Sequence, residues 1–431
     1  MAQLHVGIGR EKITPPLGTL LHGYVPYRPA LALHDDVYVT AFAFGFGDLR
    51  ALLISCDLCL LTERSLEAVW EEIEKQTGVS RTHMIIACTH THSGPVTHWK
   101  QSGQINFTWD ILRYAAAKAA KTALENLRPA QMGIGTTESH VGINRRQIKE
   151  DGSIALGQNP YGPYDPQMTV IAFREPDGTP IGNLIHYGCH NTGSGKNDEI
   201  TRDWCGVAID RLEQQSGGVT AFINGCGGDV GPRLANGKTT ANLQMALELG
   251  GQAAVDAVRA WRSIKIWENA PVKVIRENVR LPFMKVGTPE EIRAQAAALG
   301  DPEKLVGLMR TSYDNLMERA AYLEAGNVPE EYQDIPHTAI AIGPLALYGI
   351  PFEPFSILTL RIKEHSPYPY TLGVGYANGS FSYFPSMDQV IRGGYEVRMF
   401  LTMNNIPYSE DAEQHYVDGC LAMLRKLHQQ K

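Results

Sequence analysis

The stretch CTHTHSGP, from Cys88 to Pro95, places two histidines, His90 and His92, two residues apart at the end of an apolar run. Histidine is the commonest protein ligand for zinc and the natural acid–base group near neutral pH. A single histidine at the end of a strand is more often a hydrogen-bonded structural residue. The pair leaves both interpretations open, and the rest of the chain must decide between them.

Four further segments carry polar residues where an apolar run ends. They are LIHYGCHNTGSG with His186 and His190, INGCGGDVGPR with Asp229 and Arg233, LYGIPFEPF with Glu353, and GYANGSFSYFPSMDQVIRGGYEV with Tyr376, Tyr383 and Tyr395. Functional side chains of α/β folds gather where strands end and loops begin. We therefore expect these segments to meet around one site.

Glu353 supplies the carboxylate that a zinc site with two histidines would use. It lies between two prolines in an apolar segment, where an unpaired charge is costly to bury. Either a metal cation or a salt bridge would relieve that cost. Two histidines and one carboxylate form a familiar zinc set that leaves a position for water, whose pKa zinc lowers to about 7. The leading hypothesis is therefore a zinc-dependent hydrolase.

Other chemistries fit these motifs less well. The glycine-rich NGCGGDVGP lacks the lysine of a phosphate-binding loop, so we do not expect nucleotide binding. Serine catalysis of the esterase type would use GxSxG, which the sequence does not contain. The CDLC motif, Cys56 to Cys59, has half the spacing of a zinc knuckle. Because no second CxxC completes it, we expect these cysteines to be structural.

Composition narrows the choice of partners and compartment. The chain has 431 residues, 43% of them hydrophobic, and a net charge of −7 from 39 basic and 46 acidic residues. No basic block indicates a nucleic acid or an anionic membrane as partner. No apolar run reaches about 18 residues, the start does not resemble a signal peptide, and seven cysteines are scattered. These features predict a cytoplasmic protein with reduced thiols, a small-molecule substrate and no stable membrane association.

The elements that must position the site alternate between strand and helix. Apolar runs that precede the polar segments predict strands, and periodic stretches at 63–78, 109–127 and 241–263 predict helices. This alternation indicates an α/β fold with a mixed β-sheet core flanked by helices. A polar helical insertion, 288–335, is expected to be either a lid or a peripheral excursion. No repeat or linker divides the chain, so residues 1–431 are predicted to form one integrated catalytic domain.

Taken in order, THTHSGP, NRR, HYGCHNT, GDVGP, IPFEPF and the spaced YF and YEV resemble the N-terminal catalytic domain of the neutral/alkaline ceramidases. The opening GIGREKITPPLGTLLHGY also resembles that family. The resemblance covers roughly residues 5 to 400, and THTHSGP is its most specific string. It implies the fold of that domain and a zinc amidase that cleaves an N-acyl bond.

The resemblance also implies roles for individual residues. The zinc ligands would be His90, His190, Glu353 and Tyr383. His92 would face the substrate and move protons. Arg145 would hold the substrate carbonyl or its oxyanion, and Tyr395 would hydrogen-bond in the same region. His186 has no match in the family pattern and is expected to be structural.

The chain departs from the family at one position that matters for chemistry. Where ceramidases carry a serine in GD-x-S-P, this chain has Gly231 in GDVGP. A serine nucleophile proposed for that position is therefore missing. The chain also ends without the C-terminal domain of ceramidases, so we expect a smaller, soluble substrate rather than ceramide. Asp57 and Asp203, beside strand ends, could orient ligand histidines or simply cap a helix or turn.

Three alternatives stay open from the sequence. The same metal could serve an esterase, a lactonase or a glycoside-type hydrolase. The chain could instead be a non-catalytic ligand-binding homologue. A third alternative places two metals around His90, His92 and Asp57. Substrate specificity is expected from the loops at 97–108 and 146–165 and from the insertion, none of which has a readable code.

Overall fold

The computed structural model describes residues 3–97, 106–403 and 407–430. Its first sheet has five strands, in the spatial order Met84–Cys88, Leu49–Cys56, Tyr38–Phe46, His5–Lys12 and Arg128–Pro129. The two strands at the Met84 edge are parallel, and the other neighbours are antiparallel. Helices Glu63–Thr77 and Arg113–Glu125 cover one face. The alanine-rich helix lies close to the sheet, because a Cβ on Gly9 would fall 2.1 Å from the Ala119 carbonyl oxygen.

The second sheet has four strands, in the order Val219–Asn224, Pro180–Tyr187, Gln167–Arg174 and Gln131–Glu138. The first two are parallel, and the remaining neighbours are antiparallel. Helices Asp203–Ser216 and Leu243–Arg262 pack on each other and on this sheet. Their buried faces form an apolar cluster with the sheet that includes Trp204 and Phe222.

The third sheet also has four strands, in the order Val272–Pro282, Tyr332–Ile342, Leu345–Gly349 and Tyr370–Val374. Its last two strands are parallel. Helices Ser356–His365 and Ala412–Gln429 pack beside it, and the second of these contributes a row of buried side chains to the core of this region. Each sheet therefore ends in a parallel pair.

The sheet faces without helices meet in one apolar core. Phe42, Phe173 and Leu347, one from each sheet, belong to the same fully or almost fully buried cluster. The rings of Phe44 and Phe173 lie 5.6 Å apart across the contact between the first two sheets. Burial of such side chains is worth about 1.5–3 kcal/mol each and ties the sheets together. The predicted class, mixed sheets flanked by helices, is confirmed.

The polar segments all follow strands of these parallel pairs. His90 and His92 follow Met84–Cys88, His190 follows Pro180–Tyr187, and the glycine-rich turn follows Val219–Asn224. Glu353 and the tyrosine-rich segment follow the parallel strands of the third sheet. Parallel strands end at one common edge. The loops that follow these strands in the three sheets therefore lie in a single region.

Short elements complete the described chain. The remaining helices are Pro289–Ala298, Gly307–Glu324, Met387–Arg392 and Tyr395–Met403, and a π-helical turn Thr108–Leu112 precedes the alanine-rich helix. Five small two-stranded pairs join Leu20–Leu21 to Arg28–Pro29, Ala32–Leu33 to Glu199–Ile200, Gly142–Asn144 to Val230–Pro232, Arg146–Ile148 to Ile154–Leu156, and Glu353–Pro354 to Tyr383–Phe384.

Within the predicted insertion 288–335 the structure has two helices, and the strand Tyr332–Ile342 begins before the predicted end. The first helix begins with a capping box in which Thr288 and Glu291 bond reciprocally to the backbone. The second helix, Gly307–Glu324, packs against Tyr395–Met403, the helix that carries Tyr395. A lid role for the insertion and the single-domain organisation of residues 1–431 stay predictions.

Two further features of the structure concern membrane-spanning helices and the state of the cysteines. Within residues 3–97, 106–403 and 407–430, no helix is both long and apolar enough to cross a bilayer. All seven cysteines lie in these ranges, are buried and form no disulfide. The scattered cysteines are therefore core residues, as the sequence predicted.

Candidate functional site

Two histidines and one glutamate from the three sheets meet at one buried point. The Oε2 atom of Glu353 lies 3.2 Å from Nε2 of His190 and 3.4 Å from Nε2 of His90. The three ligand atoms lie within 4.8 Å of one another. Both histidines are almost completely buried. The structure therefore brings together three of the four residues that the sequence assigned to zinc, although they lie far apart in the chain.

The hydrogen bonds of the two rings fix which nitrogen faces the glutamate. Nδ1 of His90 donates to the carbonyl of Cys59 at 2.8 Å, and Nδ1 of His190 donates to the carbonyl of Gly227 at 2.8 Å. In a neutral imidazole the other nitrogen then carries a lone pair. Glu353 Oε2 is buried and has no hydrogen-bond donor among the described residues. Three acceptor atoms thus face one another, which is the arrangement that a divalent cation satisfies.

Tyr383 lies beside this set through its backbone pairing with Glu353. The two residues are register partners in a short parallel pair. The Tyr383 hydroxyl lies 3.3 Å from Nε2 of His190 and accepts a hydrogen bond from Nη2 of Arg145 at 2.9 Å. Burial raises the pKa of Tyr383 well above its ordinary value. The fourth ligand that the resemblance implied therefore lies within reach of the same cation.

Two residues of this site have a strained backbone conformation. His90 has φ of +66° and Tyr376 has φ of +55°, in the left-handed region that side chains rarely adopt. The two rings stack at 4.0 Å with an interplanar angle of 21°. Such conformations cost about 1–3 kcal/mol each and concentrate at functional sites. Two residues of this site therefore hold backbone conformations that residues with side chains rarely adopt.

His92 lies next to the three acceptors without being one of them. Its Nε2 lies 3.2 Å from Nε2 of His90, and its Nδ1 has no partner among the described residues. Burial lowers its pKa well below the ordinary value, and the nearby His90 and His190 add to this effect. The ring of Tyr24 meets it edge-on at 5.2 Å, and Gly23 leaves room for it, because a Cβ there would fall 2.4 Å from Cγ of His92.

Arg145 and Tyr395 approach the site from the side of Tyr383. Besides its bond to Tyr383, Arg145 donates from Nε to Oε1 of Glu396 at 2.9 Å. Burial tends to lower the pKa of Arg145, but the nearby Tyr383, Glu396 and Glu353 raise it well above its ordinary value. The rings of Tyr383 and Tyr395 lie 6.0 Å apart. Burial raises the pKa of Tyr395, and the nearby Glu353 adds to this effect.

Asp57 and Asp203 do not orient the ligand histidines. The Asp57 carboxylate accepts from the backbone of Tyr38 in a separate polar cluster, and burial raises its pKa to about 6. Asp203 accepts from the backbone of Gly193, Ser194 and Trp204, and so holds a turn and a helix start. Backbone carbonyls orient the rings instead. The alternative of two metals around Asp57 loses its carboxylate for the same reason.

His186 is structural, as expected. It lies in the strand Pro180–Tyr187, and its Nε2 bonds to the carbonyl of Gly373 at 2.8 Å. Burial lowers its pKa to about 4. The bond runs to the neighbouring parallel pair of the third sheet and away from Glu353.

The glycine-rich turn packs closely against the segment that carries Glu353. A Cβ on Gly228 would fall 2.3 Å from the carbonyl oxygen of Glu353. At Gly231, where the family pattern has serine, a Cβ would meet Cβ of Thr239 at 2.7 Å and Cβ of Arg145 at 3.4 Å. Thr239 therefore fills the space that a side chain at position 231 would need.

Cys59 of the CDLC motif touches the site without completing a zinc knuckle. Its carbonyl holds His90, and its Sγ lies 3.8 Å from Nδ1 of the same ring. Sγ also lies near His92, so these three side chains form a second group of metal-ligating types. Because Nδ1 of His90 already donates to a carbonyl, this side of the ring offers no lone pair.

Sequence reasoning missed two residues of the site and named a third without a role. Glu396 and Tyr24 were missed, and Tyr376 was named only as part of its segment. Two consecutive buried arginines, Arg145 and Arg146, demand a buried anion, and that signal could have led to Glu396 beside Tyr395. Of the predicted specificity loops, residues 98–105 lie outside the described residues.

The fold and this site define an α/β protein with a buried two-histidine, one-carboxylate centre, and comparison with known proteins gives its family. The model of the neutral/alkaline non-lysosomal ceramidase N-terminal domain matches residues 4–248, more than half of the chain. The chain therefore belongs to this family. Neutral ceramidase A of Dictyostelium discoideum is 25% identical over 254 residues, which are 53% of this chain and 35% of that protein.

Further relatives agree. The neutral ceramidase of Pseudomonas aeruginosa is 24% identical over 250 residues, 53% of this chain and 37% of that protein. The chain thus spans about a third of the length of these curated relatives. Its fold matches the crystal structure of neutral ceramidase from Pseudomonas aeruginosa with a TM-score of 0.73 at 20% identity, over 99% of this chain and 75% of that one. A second structure, described as ceramidase complexed with C2, gives 0.75 at 18% identity, over 99% and 76% of the two chains.

Proposed function

We propose that this protein is a zinc-dependent hydrolase that cleaves the N-acyl amide bond of a small-molecule substrate. The observation that carries the proposal is the buried Oε2 of Glu353, which faces the lone pairs of His90 and His190 and has no donor among the described residues. Zinc would be held by these three residues with Tyr383. Membership of a family whose relatives are named neutral ceramidases supports an amide as the bond cleaved.

Bound zinc would polarise the scissile carbonyl and lower the pKa of a water molecule to about 7. His92 is uncharged near pH 7, so it can take the proton of the attacking water and then pass it to the leaving amine. Arg145 donates hydrogen bonds toward the developing oxyanion, together with the Tyr395 hydroxyl. A well-placed donor of this kind is worth about 3–4 kcal/mol in the transition state.

The first test measures metal in purified protein by elemental mass spectrometry. Wild type is compared with Glu353→Ala and with His186→Gln, which changes a buried histidine outside the site. We expect about one zinc per chain in wild type and in the control, and less than a tenth of that in Glu353→Ala. Wild type without zinc after supplementation would overturn the proposal. It would favour a ligand-binding homologue without catalysis.

The second test varies the substrate. N-acyl amides from short soluble acyl chains to ceramide are offered to the zinc-loaded protein, beside esters and lactones of matched acyl length. The proposal expects amide hydrolysis, and the prediction of a smaller soluble substrate expects kcat/KM to fall toward ceramide. Hydrolysis of esters or lactones alone would assign the alternative esterase or lactonase function.

A further inference from the structure

One buried carboxylate serves both members of a consecutive arginine pair beside the site. Glu396, the second residue of the helix Tyr395–Met403, is 1% exposed. Its Oε1 accepts from Nε of Arg145 at 2.9 Å, and its Oε2 accepts from Nη1 of Arg146 at 2.7 Å. Charge-assisted bonds of this length are stronger than neutral ones. Neither the family match nor the sequence motifs assign this residue a role.

Arg146 fixes the position of Glu396 from the side away from the metal set. Its Nε donates to Oε1 of Gln389 at 2.9 Å, and its Nη2 donates to the carbonyl of Gly393 at 2.5 Å. The guanidinium also lies 5.3 Å from the centre of the Phe355 ring. The side chain of Arg146 is 2% exposed. The carboxylate is therefore held by an anchored cation and can in turn hold Arg145.

Arg145 connects Glu396 to the residues of the candidate metal site. Its Nη2 donates to the Tyr383 hydroxyl, which lies 3.3 Å from Nε2 of His190. Its Nη1 has no hydrogen-bond partner among the described residues, so one donor is left for a ligand. Glu353 is the other nearby anion that acts on Arg145. If the charge of Glu396 were lost, Arg145 would be drawn toward Glu353 and would compete with the metal.

We propose that Glu396 is a positioning residue that holds Arg145 at the Tyr383 hydroxyl and keeps it away from Glu353. In this position Arg145 could offer its Nη1 to a ligand, and Glu353 would stay free for zinc. The part of the inference that concerns catalysis rests on the proposed function. The part that concerns metal binding rests only on the zinc site of that proposal, and the two parts are tested separately.

The first experiment uses Glu396→Gln, with Glu413→Gln as the matched control. Glu413 is also a buried carboxylate, which pairs with Arg361 and accepts from the backbone of Met387, but it contacts neither Arg145 nor Tyr383. We measure the absorption spectrum of the cobalt-substituted protein, the zinc dissociation constant and the thermal midpoint. Glu396→Gln should shift the cobalt spectrum and raise the zinc dissociation constant 10- to 100-fold, as loss of groups that orient metal ligands does. The control should change only the midpoint.

Unchanged cobalt spectrum and zinc affinity in folded Glu396→Gln would overturn the inference and leave Glu396 a structural ion pair. If Glu396→Gln does not fold, Glu396→Asp takes its place. The aspartate keeps the charge but is shorter by one methylene group, so an intermediate rise in the zinc dissociation constant is expected. A zinc affinity equal to that of wild type in Glu396→Asp would likewise overturn it.

The second experiment measures kcat and KM with the N-acyl amide that wild type hydrolyses fastest. We expect kcat of Glu396→Gln to fall about 100-fold with KM changed less than about threefold, because the oxyanion donor is displaced. In Arg145→Ala, the further change Glu396→Gln should cost no more than about twofold, because both act through one group. Additive losses would overturn the catalytic part. If wild type hydrolyses nothing while the cobalt spectrum shifts, the proposed function fails and the positioning role stands.

Discussion

Two polar clusters of the molecule, one around Glu353 and one around Arg202, differ in how their charges are balanced. In the metal cluster, Glu353 faces two histidine lone pairs. In the second cluster, called here the Arg202 cluster, Arg202 donates to Asp35 at 2.7 Å and to Asp210 at 2.9 Å, with Asp57 close by. Every strong donor there meets an acceptor.

The difference shows that burial alone does not identify a functional site. Arg202 and Asp57 are as buried as the residues around Glu353, although Asp210 is exposed, and both clusters contain carboxylates with perturbed pKa values. A buried ion pair with complete hydrogen bonding is a structural device, whereas a set of facing acceptors is stable only with a cation or a proton. The predictions below test this contrast.

The largest effect is expected from Glu353→Gln. The amide can donate to one histidine, so the metal-free variant should be at least as stable as metal-free wild type, while zinc binding is lost. For wild type, zinc at 1,000 times its dissociation constant should add about 4 kcal/mol of stability. Thermal unfolding with and without zinc checks both statements. A variant that loses stability without metal and keeps its response to zinc would contradict the interpretation of the cluster.

Arg202→Met should have the opposite effect: it should lower the stability and leave zinc binding unchanged. It leaves the buried Asp57 without the cation that lowers its pKa, which typically costs about 3–5 kcal/mol, while solvent screens the exposed Asp210 and makes its share small. Zinc content per folded chain should stay at the wild-type value. Urea unfolding gives the stability, and Arg280→Met, which breaks an exposed pair with Asp334, serves as the control and should leave the stability nearly unchanged. If folded Arg202→Met lost its zinc, the Arg202 cluster would be needed for metal binding, and the contrast between the two clusters would be wrong.

A pH titration separates the structural histidine from the site. The fold lowers the pKa of His186 from 6.5 to about 4, so the unfolded chain binds a proton that the folded chain does not over this interval. Its contribution to stability is therefore present above about pH 6.5 and lost as the pH falls toward 4, by about 3 kcal/mol in total. His186→Gln keeps a donor for the Gly373 carbonyl and should flatten this part of the stability curve of metal-free protein. An unchanged slope would contradict the assignment.

The smallest effect is expected from Gly231→Ser, which restores the family residue. Because a Cβ there would meet Thr239 at 2.7 Å, we expect a loss of about 1–3 kcal/mol and no gain in hydrolysis. Thr239→Gly in the same chain should restore part of the stability. A stable Gly231→Ser variant with higher activity than wild type would show that the site has kept a place for a serine.

The sequence predicted which residues lie at the site better than it predicted which groups those residues contact. His90, His190 and Glu353 stand out by residue type at the ends of apolar runs, but only the resemblance selected them, together with Tyr383, as the zinc ligands. Of the two roles that the sequence left open for Asp57 and Asp203, the structure shows Asp203 at a turn and a helix start and Asp57 bonded to the Tyr38 backbone, so neither orients a ligand histidine. Proximity to a strand end does not decide whether a histidine bonds to a carboxylate or to a backbone carbonyl, because carbonyls leave no mark in the sequence.

The sequence by itself determined which segments carry chemistry and that strands and helices alternate around them, since side-chain type and periodicity are local properties. It also determined that position 231 has no hydroxyl. Only the tertiary structure decided that three sheets bring their strand ends to one point, that Glu353 Oε2 lies without a donor among the described residues, and that Glu396 joins Arg145 to Arg146. These are relations between atoms far apart in the chain, and they exist only once the sheets pack on their shared core.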